Sequence, residues 1–153
     1  MKGLDIYMHI QTRKLLEECS AGCQMALDSM EQVQNLAGDQ KLSNLIQKYQ
    51  QKHRQLASET AQLLHESGNA EKEPGMMAQA MSWISTEMKL MVNNDSRQAA
   101  KILMDGCNMG IKTISSHIRE YSGAEKSGIS IAKKLVSTEE DMQKDLTDFL
   151  LQN

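Results

Sequence analysis

The sequence predicts an all-α fold, a bundle of four long helices with a shorter helix in one connection. Three observations carry the prediction. Four long stretches place apolar or small residues at alternating spacings of three and four, the period of a helix that packs along its length. Aromatic residues are only 3% of the 153 residues, whereas Met occurs 12 times and Pro once. That composition suits helices filled by aliphatic and thioether side chains and disfavours a sheet, which draws on β-branched and aromatic residues. Finally, the breaks between the periodic stretches are short except for one.

The first helix is expected over about 4–37, on a seam of Leu16, Cys19, Cys23, Ala26, Met30, Val33 and Ala37. Small residues in its middle, with Gly22 on the flank, allow a neighbour to come close, which offsets the helix-propensity cost of the glycine. Gly38-Asp39 ends it, and the second helix follows over about 40–67, with Ile46, Tyr49, His53, Leu56, Thr60 and Leu63 as its seam. So short a link makes the two an antiparallel hairpin. The polar run NAEKEPG holds the only proline and reads as a loop. A shorter helix over about 76–92 then carries Met77, Met81, Ile84, Met88 and Met91 on one face, with Trp83 beside them. At 1.5 Å per residue its Met stripe is roughly 20 Å long, enough to run back along the bundle as a crossover.

Asp95 or Ser96 can cap the next helix, over about 97–121. Its seam is Ala100, Leu103, Cys107, Gly110, Ile114, His117 and Tyr121, and the spacing of Gly106 and Gly110 predicts a close helix contact at both. The last helix, about 124–151, has Ala132, Leu135, Glu139, Met142, Leu146 and Phe149 as its seam. No repeat or interdomain linker interrupts the chain, so residues 1–153 are expected to form one domain.

Short, long and short connections in that order match the bundle with one long crossover. The stretches LIQKYQQKHRQLASETAQLL, MAQAMSWISTEMKL, ILMDGCNMGIK and IAKKLVSTEEDM together resemble a group of small bacterial ferritin-like proteins of unknown function. The resemblance runs from about Leu42 onward and implies a fold rather than a chemistry. Its wider superfamily includes di-iron carboxylate proteins, whose sites use inward glutamates and two Glu-x-x-His motifs. This sequence has no Glu-x-x-His: Gln50 stands three before His53, and the third helix offers Cys107 and Gly110 where a carboxylate is wanted. An ordinary di-iron site is therefore not expected.

A different constellation falls at mid-height. Cys19, Cys23, His53, Cys107 and Glu139 all occupy mid-helix seam positions. If the helices align, His53, Glu139, Cys107 and Cys23 could offer a tetrahedral set to iron or zinc, with Glu18 or Glu59 as further donors. The plainer expectation is that the thiols are small core residues and that His53 and Glu139 form a buried polar pair that sets helix register. No thiol spacing marks a metal motif, and Cys19 and Cys23, one turn apart on a helix, do not suit a disulfide. Among the other histidines only His117 has a partner in view, Glu120 three residues on.

Composition narrows the function classes. The formal charge is −3 with no basic run, so no nucleic-acid partner is expected. No stretch of about eighteen apolar residues exists to span a membrane, and MKGLDIYMHIQTRK lacks the apolar core of a secretion signal. Three cysteines on helix seams fit reduced, buried thiols of a cytoplasmic protein. No P-loop, nucleophile elbow or Ser-His-Asp order is present. The expected function is that of a non-enzymatic structural or binding protein without a cofactor; the alternative is a metal-binding protein or oxidoreductase using the mid-bundle groups. Met77, Met81, Trp83, Met88 and Met91 are the expected seat of a homodimer.

Overall fold

The computed structural model describes residues 2–35, 37–66 and 95–152. They form four helices: α1 (Lys2–Gln34), α2 (Gln40–Glu66), α3 (Ser96–Glu120) and α4 (Lys126–Gln152). The expected crossover helix over 76–92 lies outside the described residues. The structure is all-α, as the periodicity predicts, with helix boundaries within three residues of those read in the sequence.

Local chemistry explains the starts. Asp39 caps α2, its Oδ1 accepting from the Lys41 and Leu42 backbone N–H groups at 2.7 and 3.1 Å. Asp95 caps α3 by accepting from the Gln98 N–H at 3.1 Å. Each cap satisfies donors that the first helical turn leaves without an internal partner.

Side-chain bonds between helix ends define the direction of each helix. The Asp39 N–H donates to Ser96 Oγ at 3.0 Å, so α2 and α3 start at the same end. The Glu125 N–H donates to Thr12 Oγ1 at 2.7 Å, which sets the start of α4 beside the early part of α1. At the far end Arg97 Nη1 donates to the Leu150 carbonyl at 3.1 Å. Hence α1 and α4 run parallel, α2 and α3 run opposite to them, and α1 and α4 meet across the bundle. α2 therefore ends at the opposite end of the bundle from the start of α3, as in the ferritin-like arrangement with one long connection.

The core consists of two apolar clusters. One joins Met30, Val33, Leu42, Ile46, Leu103 and Leu146 with their neighbours at the α2 start. The other joins Leu15, Leu56, Ile114, Ile131 and Leu135 toward the α3–α4 turn. The seam of α4 is buried at every position read from the sequence. In α1, Leu15 joins the seam; in α2, Leu64 is buried and Leu63 only half-buried, because a straight helix drifts slightly against a regular three-four pattern. The two-glycine contact predicted in α3 is half realised. A Cβ at Gly110 would lie 3.5 Å from Glu139, whereas Gly106 has nothing within 4 Å.

Candidate functional site

The waist between the two apolar clusters is where polar groups enter the core. His53 is fully buried on α2 and Glu139 is 5% exposed on α4. His53 Nε2 meets Glu139 Oε1 at 2.5 Å, and His53 Nδ1 meets the Tyr49 carbonyl at 2.6 Å. A carbonyl only accepts, so Nδ1 carries a hydrogen and donates to Tyr49, and a protonated Nε2 donates to the carboxylate. Burial alone pushes the imidazole down. The hydrogen bond and charge of Glu139 and the bond to Tyr49 outweigh it, and His53 titrates above its ordinary value. Both ring nitrogens are therefore engaged.

The remaining surroundings come from α1 and α3. The other oxygen of Glu139 lies beside α3 at Gly110, where an added Cβ would stand in ordinary contact with it at 3.5 Å. The Cys107 thiol lies close enough to the same carboxylate for its charge to raise the thiol further. Cys23 lies close enough to feel the Glu139 charge, and Cys19 stands one turn before it. All three cysteines are free and buried. Burial, reinforced by neighbouring negative charge, pushes Cys19 up to about 12 and Cys23 and Cys107 further still. As protonated thiols they are poor nucleophiles at neutral pH.

Of the groups singled out in the sequence, His53 bonds Glu139, and Cys107 and Cys23 lie within reach of its charge. Yet among the described residues no three His, Cys, Asp or Glu side chains stand in an arrangement able to hold a metal ion. The carboxylate is paired with His53, and α3 offers a thiol and a glycine at this level rather than a hard oxygen donor. The residues present do not fit an iron pair. Glu18 and Glu59, considered as further donors, lie elsewhere. Glu18 pairs with His117 at 3.1 Å, and Glu59 lies 4.0 Å from Lys134 on the surface.

Several partners had no local signal in the sequence. Gln50 is buried in α2 and donates to Gln34 at 3.1 Å. The Tyr49 hydroxyl donates to Asp145 at 2.6 Å, while Lys48 and Lys52 lie 5.2 and 5.4 Å from the Tyr49 ring centre. Burial and the Asp145 bond push the Tyr49 hydroxyl well above its ordinary range. His117 faces Glu120 at 3.3 Å, the contact that its spacing suggests, but also Glu18 across the α1–α3 seam. The Gln50–Gln34, Tyr49–Asp145 and His117–Glu18 pairs join residues far apart in the chain, and only the packed helices bring them together. The expected interaction surface of Met77, Met81, Trp83, Met88 and Met91 lies outside the described residues.

No family model matches the chain, and no curated protein matches it. Two solved structures are similar in fold. One is a fragment described as DUF305 from Deinococcus radiodurans, with a TM-score of 0.74 and 15% identity over 94% of this chain and 97% of that one. The other is a two-domain protein from Anabaena variabilis with DJ-1/ThiJ/PfpI-like and ferritin-like domains. It gives a TM-score of 0.71 and 14% identity over 92% of this chain and 39% of that one. At such identities the likeness shows a ferritin-like helical fold and carries no activity with it. Among the described residues no helix is long and apolar enough to cross a membrane.

Proposed function

We propose that this protein is a non-catalytic ferritin-like bundle whose mid-core polar groups serve the fold, and which acts by binding through its surface. The observation that carries this reading is the closure of His53 and Glu139 on each other. Both imidazole nitrogens are engaged within hydrogen-bonding distance, and the pair is almost entirely out of solvent. A catalytic base or a metal ligand needs a lone pair free to face its substrate or ion. The three thiols, held protonated by burial, add no nucleophile.

A metal-binding reading draws on one observation, the gathering of His53, Cys107 and Cys23 around Glu139. The deciding experiment is elemental analysis of untagged protein purified under reducing conditions, before and after incubation with iron and with zinc. The structural reading expects no stoichiometric metal. A stoichiometric ion that disappears in a His53→Ala variant with unchanged helical circular dichroism would overturn it.

A further inference from the structure

At the end of the bundle where α3 stops, three contacts join α1 to α3 and to the turn that follows it. The Glu125 N–H donates to Thr12 Oγ1 at 2.7 Å, and the Tyr7 ring lies over Gly123. The third contact is His117, in the last turn of α3. Its Nε2 faces Glu18 of α1 at 3.1 Å, and its Nδ1 faces Glu120 at 3.3 Å. The ring lies parallel to that of Tyr121, with centres 5.7 Å apart and planes within 7°. His117 and Glu18 are both half-buried, so salt and water screen their contact less than that of an open surface pair.

Carboxylate oxygens only accept, so the two bonds exist together only when each ring nitrogen carries a hydrogen, which is the imidazolium. A neutral ring has one hydrogen for two carboxylates: it keeps one bond, without the charge, and turns a lone pair on the other oxygen. The charges felt around the ring belong to α1 and to the end of α3. α1 brings Glu18, Lys14 and Glu17, the last lying 3.9 Å from Arg13; α3 brings Glu120, followed by the Tyr121 hydroxyl. Tyr121 and, after it, His117 hold the Glu120 carboxyl below its ordinary value, so it stays ionised wherever an imidazole changes charge.

We propose that His117 is a proton-operated clasp between α1 and α3, closed when its imidazolium bridges Glu18 and Glu120 and loosened when the ring is neutral. The protonated ring is the form that is tied on both sides, so the clasp contributes on the acid side and its contribution is lost as pH rises. The other two contacts, a backbone N–H on a hydroxyl and a ring on a glycine, do not titrate over this interval. This end of the bundle therefore loosens locally while the helices stay packed. The clasp is independent of what the core site does.

The test is amide hydrogen exchange of the full chain at about pH 5.5 and about pH 8, the interval in which histidine changes charge, with the intrinsic pH dependence of exchange divided out. Segments 12–20 and 114–124 report on the clasp, and segment 40–48, at the opposite end of the bundle, reports any loss of global stability. The expected result is that protection at the clasp falls with rising pH by about fivefold more than at 40–48. In His117→Gln, whose side chain carries no titrating charge, that excess should vanish while circular dichroism is unchanged. Equal loss of protection at both ends of the wild-type chain would overturn the proposal. So would an excess that persists in His117→Gln, or one untouched by Glu18→Gln, because its source would then lie outside the tie to α1.

Discussion

Removing His53 and removing Glu139 are expected to have unequal consequences, and the inequality follows from which charge is left behind. In Glu139→Met the imidazole loses its carboxylate but keeps the Tyr49 carbonyl, at 2.6 Å, and can shed its proton to become neutral. The cost is one charge-assisted hydrogen bond and an unpaired ring nitrogen, about 1–3 kcal/mol. In His53→Leu the volume is nearly conserved, but a carboxylate only 5% exposed remains without its bonded partner. An uncompensated buried charge costs about 3–5 kcal/mol, a large share of the 5–15 kcal/mol typical of a domain. The double variant His53→Leu/Glu139→Met removes both polar groups together and is expected to lie within about 1–2 kcal/mol of wild type. Urea denaturation followed by circular dichroism, with slopes compared as well as midpoints, measures all four proteins. If His53→Leu costs less than about 1 kcal/mol, or if the single losses simply add in the double variant, the pair is not coupled as described.

The same pair sets a pH dependence. A histidine titrating above its ordinary value in the folded state stabilises the fold fully below the unfolded pKa of about 6.5, and that contribution is lost as pH rises through the folded value. Stability should therefore fall on the alkaline side of about 6.5, and His53→Leu should remove that part of the slope. The thiols should be inert in the native state: Ellman's reagent at pH 8 should label none of Cys19, Cys23 and Cys107 until urea unfolds the chain, and rapid native labelling would contradict their burial. Asp39→Ala and Asp95→Ala should each cost about 1 kcal/mol by orphaning N-terminal donors of α2 and α3, read as lowered thermal midpoints. Gly110→Leu should be worse than Gly106→Leu, because only Gly110 faces Glu139.

The helical architecture was legible in the chain because burial on a helix repeats with a fixed period. Ala132, Leu135, Glu139, Met142, Leu146 and Phe149 announce one face by spacing alone, and all are buried. The candidate residues of the waist were legible for the same reason: His53, Cys107 and Glu139 break apolar seams at mid-helix. Their chemistry was not. Periodicity tells which way a side chain points, and it is silent on the relative height of two helices, where one turn is about 5 Å. Tertiary packing aligned His53 with Glu139, brought Cys107 near the same carboxylate and left Gly106 in the open while Gly110 met Glu139. It also gave Glu18 to His117 rather than to the core. Sequence alone determined which residues face inward, because that follows from the backbone's own geometry. Which inward residues touch was decided only when four helices settled at heights where their side chains interlock.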